Sequence, residues 1–329
     1  MPKIYVCESP PLVTVSIPLY NKAASIKRAV ESVLSQTYSN LELNVVDDGS
    51  DDGSADILRE MDDHRLQIIS QDNLGPGAAR NRGWQVGAGP LAAFLDADDF
   101  WDADFLEWAV ARLAMHPEVA AVTAGYRESY GWDRIRPAEE LRRGLRAGVF
   151  HAAQADVHVF MMALAYMLPV TTVVRREVLQ EYGGFFDRGK CTYGEDNFLW
   201  TQVLLNYPVY FGVEAKVTVD RCSSELSVVR HLPMRAIEPL LTHTSIIVER
   251  CPAHLKPLLE EVLTARAFKR ACTLAATGRW REARALREQY ATVATTQSSY
   301  RLISALISNP VGSSVAQWAF RVMMSKWKR

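Results

Sequence analysis

The sequence predicts an α/β fold: a mostly parallel sheet with helices on both faces, followed by a C-terminal α-helical region. Three observations carry that expectation. Short apolar runs alternate with amphipathic segments from Val13 to Thr123, the rhythm of strand–helix–strand crossovers. Three of these runs end in polar segments: Pro18-Leu-Tyr-Asn21, Asp47-Asp-Gly-Ser50 and Asp96-Ala-Asp-Asp99. Ligands of open α/β sheets bind at the carboxyl ends of strands, so three polar ends predict one site. Beyond about Pro233 the apolar spacing is helical only. The expected division is therefore 1–222 and 223–329.

Val13 to Leu19 reads as the first strand. Ile26, Ala29, Val30, Val33 and Leu34 then recur at helical spacing, with Lys27, Arg28 and Glu31 on the opposite, polar face. Leu41 to Val46 is the second strand, and Ser54 is placed to cap a short helix carrying Ile57, Leu58 and Met61. Leu66 to Ser70 is the third strand. Gly75-Pro-Gly77 turns into a helix over Ala78 to Val86, and Leu91 to Leu95 is an uncharged, buried strand. A helix with Phe105, Leu106, Ala109, Val110 and Leu113 as its stripe follows, then a strand over Val119 to Thr123. Val157 to Val174 has too short an apolar part for a membrane span, which needs ~20 residues. It reads as a buried helix, with a returning strand over Val170 to Arg175. Gly194-Glu-Asp-Asn197 opens another helix. In the last third, Leu263, Ala267, Ala271, Leu274 and Ala275 make one stripe, Gly278 breaks it, and Ala283, Leu286 and Tyr290 make the next.

A hydrophobic content of 48% with 23% charged residues is that of an ordinary globular protein. The net charge of −1 hides an asymmetry. Residues 1–222 carry 21 Lys and Arg against 31 Asp and Glu, and residues 223–329 carry 16 against 7. An acidic front domain argues against nucleic acid as a partner. Cys7, Cys191, Cys222, Cys251 and Cys272 form no Cys-x-x-Cys, so neither a zinc site nor a disulfide framework is expected. The N-terminal residues lack the apolar run of a signal peptide, and a cytoplasmic location is expected.

Asp96, Asp98 and Asp99 crowd the end of a buried strand, and three such charges need a compensating cation. Hard oxygen ligands suit Mg²⁺ or Mn²⁺, ions that also hold substrate phosphates. The competing reading is a strand-to-helix turn with Asp102 capping a helix. For Glu195 and Asp196, the competing reading is stabilisation of a helix dipole.

Six segments in order carry a resemblance: Val15-Ser-Ile-Pro-Leu-Tyr-Asn21, Ser32-Val-Leu-Ser-Gln-Thr-Tyr38, Val45-Val-Asp-Asp-Gly-Ser50, Asn73 to Gly83, Leu95-Asp-Ala-Asp-Asp99 and Gly194-Glu-Asp196. Over roughly residues 11–215 the chain resembles an inverting family 2 glycosyltransferase with the Rossmann-like GT-A fold. The resemblance implies a nucleotide-diphosphate sugar donor, a divalent metal (Mn²⁺ or Mg²⁺) and transfer to an acceptor hydroxyl with inversion. By the same resemblance Pro18, Tyr20, Asn21, Asp47 and Asp48 belong to the nucleobase and ribose pocket, either acid meeting the base. A carboxylate facing the imide of uracil would favour UDP. Gly75 and Arg80 fall to the nucleotide or diphosphate, Asp96 and Ala97 to donor positioning, and Asp98 to the metal. Asp99 would orient its neighbours. Asp196 corresponds to the general base, with Glu195 as the alternative. Many relatives carry an Arg-His pair after this motif. Here Arg221-Cys222 stands in its place, and Cys222 or His231 would have to replace the histidine.

Gly75-Pro-Gly-Ala-Ala-Arg80 fails as a dinucleotide fingerprint, because Arg80 replaces the third small residue and the segment is the third crossover. A nucleotidyltransferase would want glycines after the first strand, where Tyr20-Asn21-Lys22 stands. A non-catalytic sugar-nucleotide-binding or scaffold protein on the same fold is the alternative of a different class. The expected acceptor is a glycan or a lipid-linked saccharide. In the tail, Val315, Trp318, Ala319, Val322 and Met323 share a helical face edged by Arg321, Lys326, Lys328 and Arg329. Residues 312–329 therefore read either as a peripheral membrane contact on the cytoplasmic face or as a packing element, with a homodimer through the C-terminal helices among its forms.

Overall fold

The computed structural model describes residues 10–130, the backbone of 135–137, and residues 145–222, 237–290 and 313–314. The chain divides into two compact units, residues 1–225 and 226–329. In the first, Val13–Leu19 (β1), Ile26–Leu34 (α1), Leu41–Asp47 (β2), Ser54–Arg59 (α2), Leu66–Ser70 (β3), Pro76–Val86 (α3) and Leu91–Phe94 (β4) follow the expected alternation. β1 pairs in parallel with β2 and β4, and β2 with β3. Every residue of β1 except Pro18 is buried. Such a strand must be apolar throughout or spend its polar groups internally; Ser16 hydroxyl donates to the Arg80 carbonyl at 3.3 Å.

The second half of the sheet is mixed. Phe100–Trp101 (β5), Phe105–Met115 (α4), Ala121–Ser129 (β6), Ile135–Pro137 (β7), Gly148–Phe150 (β8), Val157–Tyr166 (α5), Thr172–Arg175 (β9), Arg176–Tyr182 (α6), Glu195–Asn206 (α7) and Val209–Asp220 (β10) complete the unit. The strand order is β3-β2-β1-β4-β9-β6-β10-β5, with β7 on β6 and β8 on β10. β9 lies antiparallel between β4 and β6, while β10 runs parallel to β6 and antiparallel to β5. The α/β class with helices on both sides is thus borne out, while the mixed half departs from parallel pairing.

Two local readings are corrected. Ser54 is the first residue of α2 rather than its cap, and its N–H donates to Asp52 at 3.0 Å. Asp102 does not cap α4, which starts after Asp104, because its carboxylate is taken by Arg127. Arg28, on the polar face of α1 with Lys27 and Glu31, donates to the Asp98 carbonyl at 2.6 Å and pairs with Asp220 at 3.0 Å.

The second unit is helical where described: Pro239–Thr242 (α8), Thr244–Arg250 (α9), Lys256–Ala276 (α10) and Trp280–Gln289 (α11). The anticipated stripes of α10 and α11 are buried, with Tyr290 half-buried and Gly278 at the turn. His231 and the tail stripe from Val315 onward lie outside the described residues. Among the described residues no helix is long and apolar enough to cross a membrane.

Candidate active site

Parallel register brings the strand ends level. Leu19 pairs with Asp47 and Asp47 with Ser70. Leu95 N–H donates to Ser16 O at 3.1 Å, extending the β4 ladder to the start of the acidic segment. The three polar ends therefore share one rim, as expected of strands that stop in step.

Side chains then stitch the rim together. Asn21, at φ 50°, donates its N–H to Ser50 Oγ at 3.1 Å and accepts from Asp51 N–H at 2.9 Å. An Asn tolerates this left-handed backbone because its short amide bonds locally. Asp47 accepts from Ser50 N–H at 2.9 Å, which closes the turn after β2. Asp48 is buried and accepts from Gln71 Nε2, Leu74 N–H and Gly75 N–H, each at 2.8 Å. Asp48 thus moulds the loop into α3. Pro18 is half-buried, and Tyr20, two residues on, is exposed.

The acidic segment is crowded. Asp98 and Asp99 are buried, and Ala97 is buried between Asp96 and Asp98. Burial first, and the Asp96 charge second, push the Asp98 carboxyl above the ordinary range. Asp99 is pushed well above it by burial and then by Asp98 and Asp96. Asp99 turns toward β10, where it accepts from Asp220 N–H at 2.8 Å. Asp98 pairs through Oδ2 with Lys22 Nζ at 3.1 Å. Such clustering of acids suits a cation. Among the described residues no three His, Cys, Asp or Glu side chains form a cage. The Asp98 carboxylate is a hard oxygen donor of the kind that suits Mg²⁺ or Mn²⁺.

Glu195 and Asp196 open α7 and take different positions. Glu195 is buried and receives Arg80 Nη1 at 2.9 Å, while Asp196 is half-buried and accepts from Asn197 N–H at 2.7 Å. Arg80, itself buried, places its Nη2 2.6 Å from Asp96. Burial opposes the guanidinium charge, but Asp96 and Glu195 outweigh it and raise its pKa. The resemblance implied a nucleotide or diphosphate contact for Arg80; in this structure both its terminal nitrogens hold acids, one from each side of the site. α3 also carries the segment leading to α7. Asn81 donates to Phe185 O at 2.8 Å and accepts from Phe185 N–H at 2.8 Å. A Cβ at Gly77 would lie 2.5 Å from Phe186 O, and one at Gly75, whose φ is +94°, 3.0 Å from Cys191 O. These two glycines let the chain bearing Glu195 and Asp196 pass over the start of α3.

Lys22, Arg28 and Asp220 were not singled out from the sequence. Lys22 had one signal, its place directly after Tyr20-Asn21; Arg28 and Asp220 had none. Arg221 pairs with Glu128 at 2.6 Å, and Cys222 is exposed, its N–H donating to Asp220 at 2.9 Å.

Residues 14–183 match the family described as glycosyl transferase family 2. Glycosyltransferase GlyA of Streptococcus pneumoniae serotype 4 is 37% identical over 112 residues, which are 33% of this chain and 16% of GlyA. The putative glycosyltransferase EpsH of Bacillus subtilis is 39% identical over 99 residues, 30% of this chain and 29% of EpsH. The chain therefore spans well under half the length of these relatives. Escherichia coli WfgD, named as a UDP-Glc:alpha-D-GlcNAc-diphosphoundecaprenol beta-1,3-glucosyltransferase, is 28% identical over 59% of this chain and 70% of its own. Among solved structures, S. aureus TarS 1–349 in complex with UDP-GlcNAc superposes with a TM-score of 0.71 at 18% identity, over 94% of this chain and 91% of that one. Mannosyltransferase PcManGT from Pyrobaculum calidifontis, in complex with GDP-Man and Mn²⁺, gives 0.57 at 22% identity, over 94% and 87%. These structural likenesses show the fold, and the match over residues 14–183 shows that the chain belongs to glycosyl transferase family 2.

Proposed function

We propose that the protein transfers a sugar from a nucleotide diphosphate, with UDP as the nucleotide, to an acceptor hydroxyl with inversion. The observation that carries this is the junction at Arg80. It ties Asp96, at the donor rim, to Glu195, next to the acid proposed as base. Tyr20 and Pro18 offer the nucleobase a face. Asp98 would hold the divalent ion, which when bound neutralises charge on the diphosphate as it leaves, while Asp96 positions the donor. An inverting displacement needs a base opposite the leaving group. Asp196 fills that role better than Glu195, whose carboxylate is buried against Arg80. Asp196 accepts the acceptor's proton as the hydroxyl attacks the anomeric carbon, and the diphosphate departs on the other face. Glu195 and Arg80 hold Asp196's helix in place. The acceptor is a glycan or lipid-linked saccharide, a reading supported by what WfgD is named for.

The test is thermal stabilisation by UDP, GDP and dTDP with and without Mn²⁺, followed by nucleotide release from the matching sugar donors. A ligand at 100 times its dissociation constant adds ~2.7 kcal/mol. UDP with Mn²⁺ should stabilise most, and Asp98→Ala should lose the Mn²⁺-dependent part while staying folded. Binding without release, under every donor and acceptor tried, would leave the non-catalytic alternative in its place.

A further inference from the structure

We propose that Lys22 is the resident counter-cation of Asp98, which a divalent ion must displace, so that cation loading waits for a diphosphate. The inference rests on the donor reading above. The ammonium lies 3.1 Å from Asp98 Oδ2, and the two side chains are only 18% and 12% exposed. An open surface pair contributes little, whereas a shielded one competes seriously for its carboxylate.

The lysine is also held in place. The N–H groups of Asn21, Lys22 and Ala23 donate in succession to Ser50 Oγ, Ser54 Oγ and Asp52 Oδ2, at 3.1, 2.9 and 2.9 Å. Its backbone is therefore fixed to the turn after β2 while its side chain crosses to the end of β4.

The neighbouring acids are engaged elsewhere. Arg80 holds Asp96, and Asp220 N–H holds Asp99. No three-acid cage exists among the described residues. A bare ion would therefore meet Asp98 with an ammonium already on it. An ion arriving with a diphosphate brings further oxygen ligands. The displaced ammonium then gains phosphate oxygens as partners, in charge-assisted hydrogen bonds. Removing Asp98 from Lys22 and supplying a new anion to Lys22 happen in one event, and this couples the two ligands.

Mn²⁺ binding to the full chain is read from the electron paramagnetic resonance signal of the free ion, without nucleotide and with saturating UDP. Without nucleotide, Lys22→Met should bind Mn²⁺ at least about tenfold more tightly than wild type, and Lys22→Arg should resemble wild type. Adding Asp98→Asn to Lys22→Met should erase the gain. With UDP the difference should narrow to under ~threefold. Equal nucleotide-free affinities, a gain that survives Asp98→Asn, or a gain of the same size with UDP would each overturn the proposal. Lys22→Gln replaces Lys22→Met if circular dichroism shows the latter unfolded. A wild type that binds no UDP would instead sink the donor reading, and the nucleotide-free comparison stands without it.

Discussion

The two halves of the sheet are assembled by different rules. β3, β2, β1 and β4 run parallel, and their ends meet in nearly the order the chain makes them. β9, β6, β10 and β5 are a mixed set, in which β9 is inserted antiparallel between strands made long before it. In the first half, a single helix–strand crossover separates Asn21 from Ser50, 29 residues apart, and Asp48 from Gly75, 27 residues apart. In the second, contact is made across great sequence distances, as between Arg28 and Asp220, 192 residues apart. The first half holds the acids and apolar faces proposed for the donor, and the second supplies the proposed base. The acids proposed for the donor thus sit on local architecture, whereas the helix bearing the proposed base is joined to them through tertiary contacts, several of them on α3.

The sharpest way to break this comparison is to cut the link. Arg80→Leu leaves Glu195 buried without its cation, and loss of one partner of a buried pair costs ~3–5 kcal/mol. Denaturant unfolding should show that loss. Retention of wild-type stability would mean that the halves are held together by something other than Arg80.

A smaller effect is expected when only the donor half is disturbed. Asp48→Ala removes the acceptor for Leu74 and Gly75 N–H, a cost of ~1–3 kcal/mol for groups left without partners. Hydrogen exchange should speed up at those two amides and stay slow at Phe185, which Asn81 holds. Equal acceleration at both places would show that the halves are not separate.

The smallest effect probes the segment passing over α3. Burial, with the nearby Glu195 and Asp196 charges, pushes the Cys191 thiol up to about 11. A raised pKa keeps the thiol protonated, so its alkylation should still climb ~tenfold per unit between pH 8 and 10. Mass spectrometry of iodoacetamide-treated protein reads this directly. A rate that levels off near pH 9 would mean that the segment is not packed over Gly75 and Gly77.

The same contrast explains what could be read from the sequence. β1 to β4 and their helices were legible because each carries its own period and each polar end sits in its own loop. The acids Asp48, Asp96, Asp98 and Asp196 stood out as breaks in apolar runs. β10 was not read as a strand: Glu214 and Lys216 interrupt its apolar pattern, and its register shifts between Phe211 and Ala215. The Arg28 contacts to Asp98 and Asp220 were not legible, because helical spacing tells which residues share a face, not what that face meets. Lys22 and Asp220 were missed because an ion pair closed by tertiary structure leaves no spacing behind. Arg80, Asp96 and Glu195 each stood out, but not that they pair, since the three lie in different segments.

The central claim is that Asp196, carried to the donor rim on α7, is the base. Its direct test is nucleotide release in the presence of acceptor, set beside calorimetric binding of the same donor, for wild type, Asp196→Asn and Glu195→Gln. Asp196→Asn keeps the shape but cannot take the proton. Its turnover should fall by the ~10²–10⁴-fold typical of lost acid–base catalysis, with donor affinity unchanged. An active Asp196→Asn beside a dead but donor-binding Glu195→Gln would contradict the assignment and make Glu195 the base.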